Sequence, residues 1–282
     1  QLRGEMHREV RPYSALVLDI EGTICSISFV RDVLFPYASK HVESFLKANL
    51  DAWWVNKVFD DFRIAAQAEI DAGDSQVRPI PEGAPSIAIP AIVHNVRYWI
   101  ARDKKIGPLK MLQGFIWKEG YEKQDFQSEL FEDVMPVLKL MSIPVFTYSS
   151  GSIEAQELLL QHCKQGDASM LIRCKFSLQD IGPKRESTSY EKLTAAIDRP
   201  SQDILFVTDI EAEAAAARTA GLRTMLMIRP GNEELSEFAK REFECIYNMC
   251  GVLTVDDLDK VSEMRDCGEK EILMRGLLTC RK

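Results

Sequence analysis

Residues 15–23 read Ala15-Leu16-Val17-Leu18-Asp19-Ile20-Glu21-Gly22-Thr23. Four apolar residues without polar alternation, closed by an acid and a glycine turn, are the pattern of a strand covered on both faces, as in a parallel sheet. Runs of the same kind recur at 143–148, 171–176, 203–208 and 223–228. Between the later ones lie 152–163, 187–197 and 211–220, whose periodicity is helical and whose length suffices for a crossover between parallel strands. Strand and helix in alternation predict an α/β fold with a Rossmann-like parallel sheet.

The first and second strands are separated by about 120 residues, far more than a simple crossover needs. Val42, Phe45, Leu46 and Leu50 follow a helical spacing, and the same patterning returns over 53–70, 91–102, 109–122 and 127–141. These segments predict an inserted, all-helical cap domain at 31–141, with 1–30 and 142–282 forming the α/β core. The run 78–90 contains four prolines and is expected to be an extended connection between cap helices. Trp53, Trp54 and Trp99 are expected to pack inside the cap.

Composition narrows the function classes. The chain has 282 residues, 46% hydrophobic and 28% charged, which excludes collagen-like and mainly disordered proteins. Thirty-five Lys and Arg face 43 Asp and Glu, giving a net charge of -8 with the basic residues dispersed, so nucleic acid is not an expected partner. The segment 1–13 has no apolar signal-like stretch, and no run approaches the roughly 18 apolar residues of a membrane span, so no membrane association is expected. Seven cysteines without a Cys-x-x-Cys pair fit reduced thiols in a cytosol. A cytoplasmic location, and a nuclear one besides, is the expectation. His7, His41, His94 and His162 show no metal-ligand spacing. Cys25 lies six residues past Asp19, where a thiol could face the same site.

Three strand ends carry the chemistry. Asp19 and Glu21 fall at the carboxyl edge of the first strand, the edge where α/β folds bind ligands. The second strand ends at Ser149 and Ser150, followed by Gly151 and by Ser152, which can cap the next helix. Hydroxyls and amides at a helix start suit a phosphate, and they equally suit an ordinary capping cluster. Lys184 stands in the loop before the helix at 187, a position that a surface charge would also occupy. Asp209 closes the strand at 203–208, with Glu211 and Glu213 in the first turn of the following helix, where the dipole favours acids.

Together, in this order, the motifs resemble the haloacid dehalogenase-like phosphohydrolases. DIEGT at 19–23, FVRDVLFPY at 29–37, LQGFIW at 112–117, YSSGSIEAQ at 148–156, SYEK at 189–192 and RPGN at 229–232 are similar to the enolase-phosphatase, or acireductone synthase, family over about 15–235. The resemblance implies a methionine-salvage enzyme that enolises 2,3-diketo-5-methylthiopentyl-1-phosphate and dephosphorylates the enol to an acireductone, with one Mg²⁺ per subunit. It implies Asp19 as nucleophile and metal ligand, Glu21 as acid and base and as a carbonyl ligand, and Asp209 as the third metal ligand. It also implies Ser149 and Ser150 as phosphate binders and Lys184 as a catalytic and substrate-binding charge. A monomer is expected. The chain departs from the family pattern at Ile24-Cys25-Ser26, in the loop QDIGPK at 179–184 and at Glu211-Ala212-Glu213-Ala214, and the residues beyond about 240 match nothing in it. A small-molecule phosphatase with another substrate, a catalytically silent binding relative and, at greater distance, a halide-displacing dehalogenase are the alternatives; Glu21 beside the nucleophile speaks against the last.

Overall fold

A computed structural model describes residues 13–265 and 267–280; His7 and the other residues of 1–12 in the expected first core segment lie outside the described residues. In chain order, β1 (Ala15–Leu18) leads into one helical turn, α1 (Ile27–Phe29), and a π-helical turn, Val30–Leu34. Then come α2 (Phe35–Ala48), α3 (Val55–Asp71), α4 (Pro85–Ala101), α5 (Gly107–Glu122) and α6 (Val134–Leu140). The remainder alternates: β2 (Val145–Ser149), α7 (Ile153–Gln161), β3 (Cys174–Ser177), α8 (Ser187–Ile197), β4 (Ile204–Thr208), α9 (Glu211–Thr219) and β5 (Arg223–Met227). Last are α10 (Glu237–Glu242), β6 (Glu244–Ile246), α11 (Val255–Glu263) and α12 (Gly268–Thr279).

The six strands form one parallel sheet in the order β3-β2-β1-β4-β5-β6. β1 lies between β2 and β4, with Leu16 opposite Val145 and Leu18 opposite Val207. The strands nearest the centre are buried at every position, which is why their sequences carry no alternation. On one face Val17, Phe146, Tyr148 and Phe206 pack with Tyr190 and Leu193 of α8 and Ala217 of α9. Because the strand order runs outward from β1 in one direction and from β4 in the other, the switch point lies between these two strands, and a crevice opens there at their carboxyl ends.

The chain divides into two compact units, Ser28–Phe126 and the remainder. The second boundary falls before the expected one at 141: α6 packs on α11, α12 and the turn Met249–Val252, so 127–141 belongs with the sheet. Its helical pattern holds over Val134–Leu140, but its buried residues pack against the tail, a pairing that periodicity alone does not encode. The unit 28–126 has its own core, in which Phe45, Phe59, Phe62, Val96 and Trp99 are buried.

Four other expectations are corrected. The segment 78–90 is not extended throughout: α4 begins at Pro85, where the first helical position needs no N–H, and continues through Pro90. Buried Ile89, Ile92 and Val93 on either side supply the packing that outweighs the hydrogen bond that Pro90 cannot make. Trp53 is 90% exposed, whereas Trp54 stacks on Phe45 and Phe115 and Trp99 is fully buried. The strand expected at 171–176 starts only at Cys174, after a tight turn at Ser169–Leu171, because β3 is the edge strand and its first residues are not covered. Finally β6, three residues long, adds a sixth strand, with Met227 opposite Ile246. Among the described residues no helix is long and apolar enough to cross a membrane.

Candidate active site

Asp19 is the first residue beyond β1, and its N–H still bonds to the Val207 carbonyl at 2.9 Å, so the strand pairing fixes its backbone. The residue is 5% exposed and both carboxylate oxygens have donors within reach. Oδ1 accepts from the Lys184 ammonium and from the Ile20 N–H, each at 2.7 Å, while Oδ2 accepts from the Thr208 hydroxyl at 3.1 Å. Lys184 also reaches Glu213 Oε2 at 2.7 Å, and the Thr208 hydroxyl lies 2.8 Å from that same oxygen, so its single proton serves either Asp19 or Glu213 at one time. One buried ammonium therefore ties together two carboxylates from opposite sides of the switch point.

The lysine is placed by aromatic residues. Tyr190 of α8 donates its hydroxyl to the Lys184 carbonyl and Tyr148 of β2 donates to the Gly182 carbonyl, each at 2.7 Å, so the loop is tied to the sheet on both sides of Pro183. The ammonium lies 5.9 Å from the ring centres of Tyr148 and Phe206. Burial pulls the Lys184 pKa down, but the charges of Asp19 and Glu213 outweigh it and the net shift is upward. Lys184 is a charged group at neutral pH. Lys175, the other lysine near this edge, is engaged with Glu157 at 2.6 Å.

Asp209 follows β4 and is 7% exposed. Its pKa is pushed up to about 7, first by burial and then by the charge of Asp19. Its Oδ1 is buried with no hydrogen-bond partner, and Thr23 Oγ1 is buried in the same condition. Gly22, at φ 79°, is the residue against which the Asp209 carboxylate lies; a Cβ there would overlap it. An orphaned carboxylate oxygen next to a second acid is the arrangement that a bound cation would relieve, so the residues present fit a hard divalent ion with oxygen ligands. Among the described residues there is no group of three or more His, Cys, Asp or Glu that could hold a metal, so a cation here would also need backbone or substrate oxygens.

Ser149 is the last residue of β2 and is buried; its hydroxyl accepts the Gly151 N–H at 3.2 Å. Ser150 is exposed. Ser152 caps α7 by accepting the Ala155 N–H at 3.1 Å. Glu21 is half-buried in the turn after Asp19, and its charge, with those of Asp19 and Asp209, bears on the Cys25 thiol. Burial chiefly, and these acids in addition, push that thiol well up, so Cys25 is a neutral wall residue.

Several site residues were not identified from the sequence. Glu213 stands where the dipole of α9 alone would account for an acid, yet it holds Lys184, while Glu211 accepts from the Ser236 hydroxyl at 2.9 Å. Thr208 was hidden as the last apolar-looking position of a strand. Gln156 is 2% exposed and donates to the Gly151 and Phe176 carbonyls, fixing the serine turn. A glutamine at a buried helical position, in a motif that the sequence already singled out, was the available signal.

A parallel sheet with acids on both sides of its switch point and a buried lysine between them is the arrangement expected from the resemblance to the haloacid dehalogenase-like phosphohydrolases. No protein-family model matches the chain. Individual relatives do. The chain is 44% identical over 247 residues to Enolase-phosphatase E1 of Caenorhabditis elegans, covering 86% of this chain and 97% of the relative. It is 41% identical over 229 residues, 79% of this chain and 44% of the relative, to a probable bifunctional methylthioribulose-1-phosphate dehydratase/enolase-phosphatase E1 of Sorghum bicolor. Among solved structures, the UTR4 protein of Saccharomyces cerevisiae superposes with a TM-score of 0.67 at 29% identity, covering 84% of this chain and 98% of that one. The chain belongs to the enolase-phosphatase family.

Proposed function

We propose that the chain converts 2,3-diketo-5-methylthiopentyl-1-phosphate to its enol and then to the acireductone 1,2-dihydroxy-3-keto-5-methylthiopentene and inorganic phosphate. The Sorghum relative joins an enolase-phosphatase to a methylthioribulose-1-phosphate dehydratase. Loss of water across carbons 3 and 4 of that sugar phosphate leaves a 2,3-diketone that keeps its C1 phosphate, and an enolase-phosphatase would take this product next. The observation that carries the reading is Asp19, a buried carboxylate whose two oxygens are held by Lys184, Ile20 N–H and Thr208 at the switch point of the sheet.

In this reading an Asp19 oxygen attacks phosphorus as the bond from phosphorus to the substrate's C1 oxygen breaks, giving an aspartyl-phosphate. Glu21 gives its proton to the leaving enolate oxygen. It then takes a proton from the water that attacks the aspartyl-phosphate, releasing phosphate and restoring Asp19. Lys184 keeps its charge throughout and offsets the negative charge that gathers around the transferring group. The Ser149 and Ser150 hydroxyls hold the non-bridging oxygens of the phosphoryl group. Asp19, Asp209 and the Glu21 carbonyl would hold Mg²⁺, which when bound supplies Lewis-acid charge to the phosphoryl group.

Covalent labelling tests this. With substrate carrying labelled phosphorus, Glu21→Gln should accumulate label on Asp19 after a rapid quench, because glutamine cannot activate the water. Asp19→Asn should neither take label nor release phosphate. Phosphate release by Asp19→Asn at the wild-type rate would remove Asp19 from the mechanism.

A further inference from the structure

The RPGN run after β5 and the tail beyond residue 240 have no part in the chemistry above, yet the first reaches the turn that follows Asp19 and the second meets it through Asp133. Arg229 is 7% exposed. Its Nη1 and Nη2 donate to the two oxygens of Asp133, each at 2.8 Å, and its Nε donates to the Thr23 carbonyl at 3.1 Å. The guanidinium lies 4.2 Å from the centre of the Phe131 ring. Asp133 in turn accepts the Met249 N–H at 2.6 Å. Three residues after Arg229, Asn232 donates through Nδ2 to the Gly22 carbonyl at 2.9 Å, and the Phe131 N–H donates to the Ile24 carbonyl at 3.0 Å.

Three consecutive carbonyls of the turn, those of Gly22, Thr23 and Ile24, are therefore each held from outside it. Within the turn the backbone bonds are short-range: Gly22 N–H to the Cys25 carbonyl, and the Thr23, Ile24 and Cys25 N–H groups to the Ile20 carbonyl. A buried ion pair is a poor way to gain stability, since well-packed apolar residues often do as well. What the pair does provide is direction. A guanidinium whose fork is locked on one carboxylate has its remaining N–H aimed along a fixed line, which a lysine cannot reproduce. We propose that Arg229, assisted by Asn232, is a positioning residue that fixes the Ile20–Cys25 turn behind the nucleophile, and that Asp133 and the Met249 turn of the tail hold Arg229 in place. The catalytic consequence rests on the roles given above to Asp19 and Glu21.

The test uses the full chain. Arg229→Lys keeps a charge and loses the fork; Arg229→Met combined with Asp133→Leu removes both charges and should retain the fold. In each, hydrogen exchange of the Gly22, Ile24 and Cys25 amides should accelerate roughly tenfold or more relative to the amides of β2 and α8. In each, kcat on the diketo phosphate should fall by about 10²-fold with little change in KM. A purely structural role would lower the melting temperature and leave turn exchange in step with the rest of the sheet. Should the double variant fail to fold, Asn232→Ala, which leaves the ion pair intact, should show the same two changes at smaller size. Folded variants whose turn exchanges as in wild type would overturn the inference. If the wild-type chain does not act on the diketo phosphate, the functional reading fails, while the exchange measurement still judges the positioning role.

Discussion

Lys184 keeps its charge at 7% exposure because two carboxylates, Asp19 and Glu213, each lie 2.7 Å from its ammonium. Removing the lysine would leave both acids buried and uncompensated, and would take away the one cation that the described part of the cluster offers to a phosphate. Lys184→Ala should lower kcat/KM for phosphate release by about 10²–10³-fold, the scale of losing a preorganised charge at the reacting group. Lys184→Arg should recover part of it, since charge matters here more than size. Steady-state kinetics of both variants check this, and wild-type kinetics for Lys184→Ala would contradict it. At this scale the site was legible wherever a residue stood at a strand end: Asp19, Ser149 and Asp209 each directly follow or close a buried run, and position alone brings them to one edge. Lys184 was legible by order in the chain, but its burial was not, because the rings of Tyr148 and Tyr190 that fix its loop act across the sheet. Glu213 was misread for the same reason: helix-start acids are common, and only the folded crossover brings this one to Lys184.

At the scale of elements, helices with strong periodicity and strands buried on both faces were readable, and elements decided by tertiary packing were not. β6 has three residues and two partly exposed positions, too short to carry a pattern. Pro90 shows the opposite failure, since a residue that ordinarily stops a helix lies inside α4. Its side chain is exposed, while the neighbouring Ile89, Ile92 and Val93 are buried. Pro90→Ala should therefore restore one backbone hydrogen bond without disturbing the core. The gain is about 3 kcal/mol in helix propensity, reduced by about 1 kcal/mol because the unfolded chain becomes freer. A net rise in stability of about 2 kcal/mol in urea unfolding is expected, and an unchanged or lower midpoint would show that α4 is bent to need its proline.

Across the whole molecule, none of the described cysteines is in a disulfide, and several thiols are buried. Burial pushes Cys163 up to about 11 and Cys250 up to about 12, against 9.0 for a free thiol. In both, the unfolded state gives up its proton first as pH rises, so the folded state binds more protons above pH 9 and stability falls there. The contribution of these thiols is complete below pH 9 and decreases by up to about 1.4 kcal/mol per pH unit for each thiol above it. Thermal melts from pH 8 to 10.5 should show a flat midpoint and then a decline, and a flat midpoint to the end would contradict the burial of these groups. Chelation should act on function instead of fold: EDTA should stop turnover and Mg²⁺ restore it, because only oxygen donors meet at Asp19 and Asp209. The central claim is that this sheet edge first enolises a phosphorylated diketone and then hydrolyses it. A stopped-flow experiment with 2,3-diketo-5-methylthiopentyl-1-phosphate and Mg²⁺, following the ultraviolet absorbance of the conjugated enol together with free phosphate, tests it most directly. Enol absorbance should rise ahead of phosphate, and Asp19→Asn should release no phosphate; phosphate released without any enol, or no turnover at all, would refute this reading.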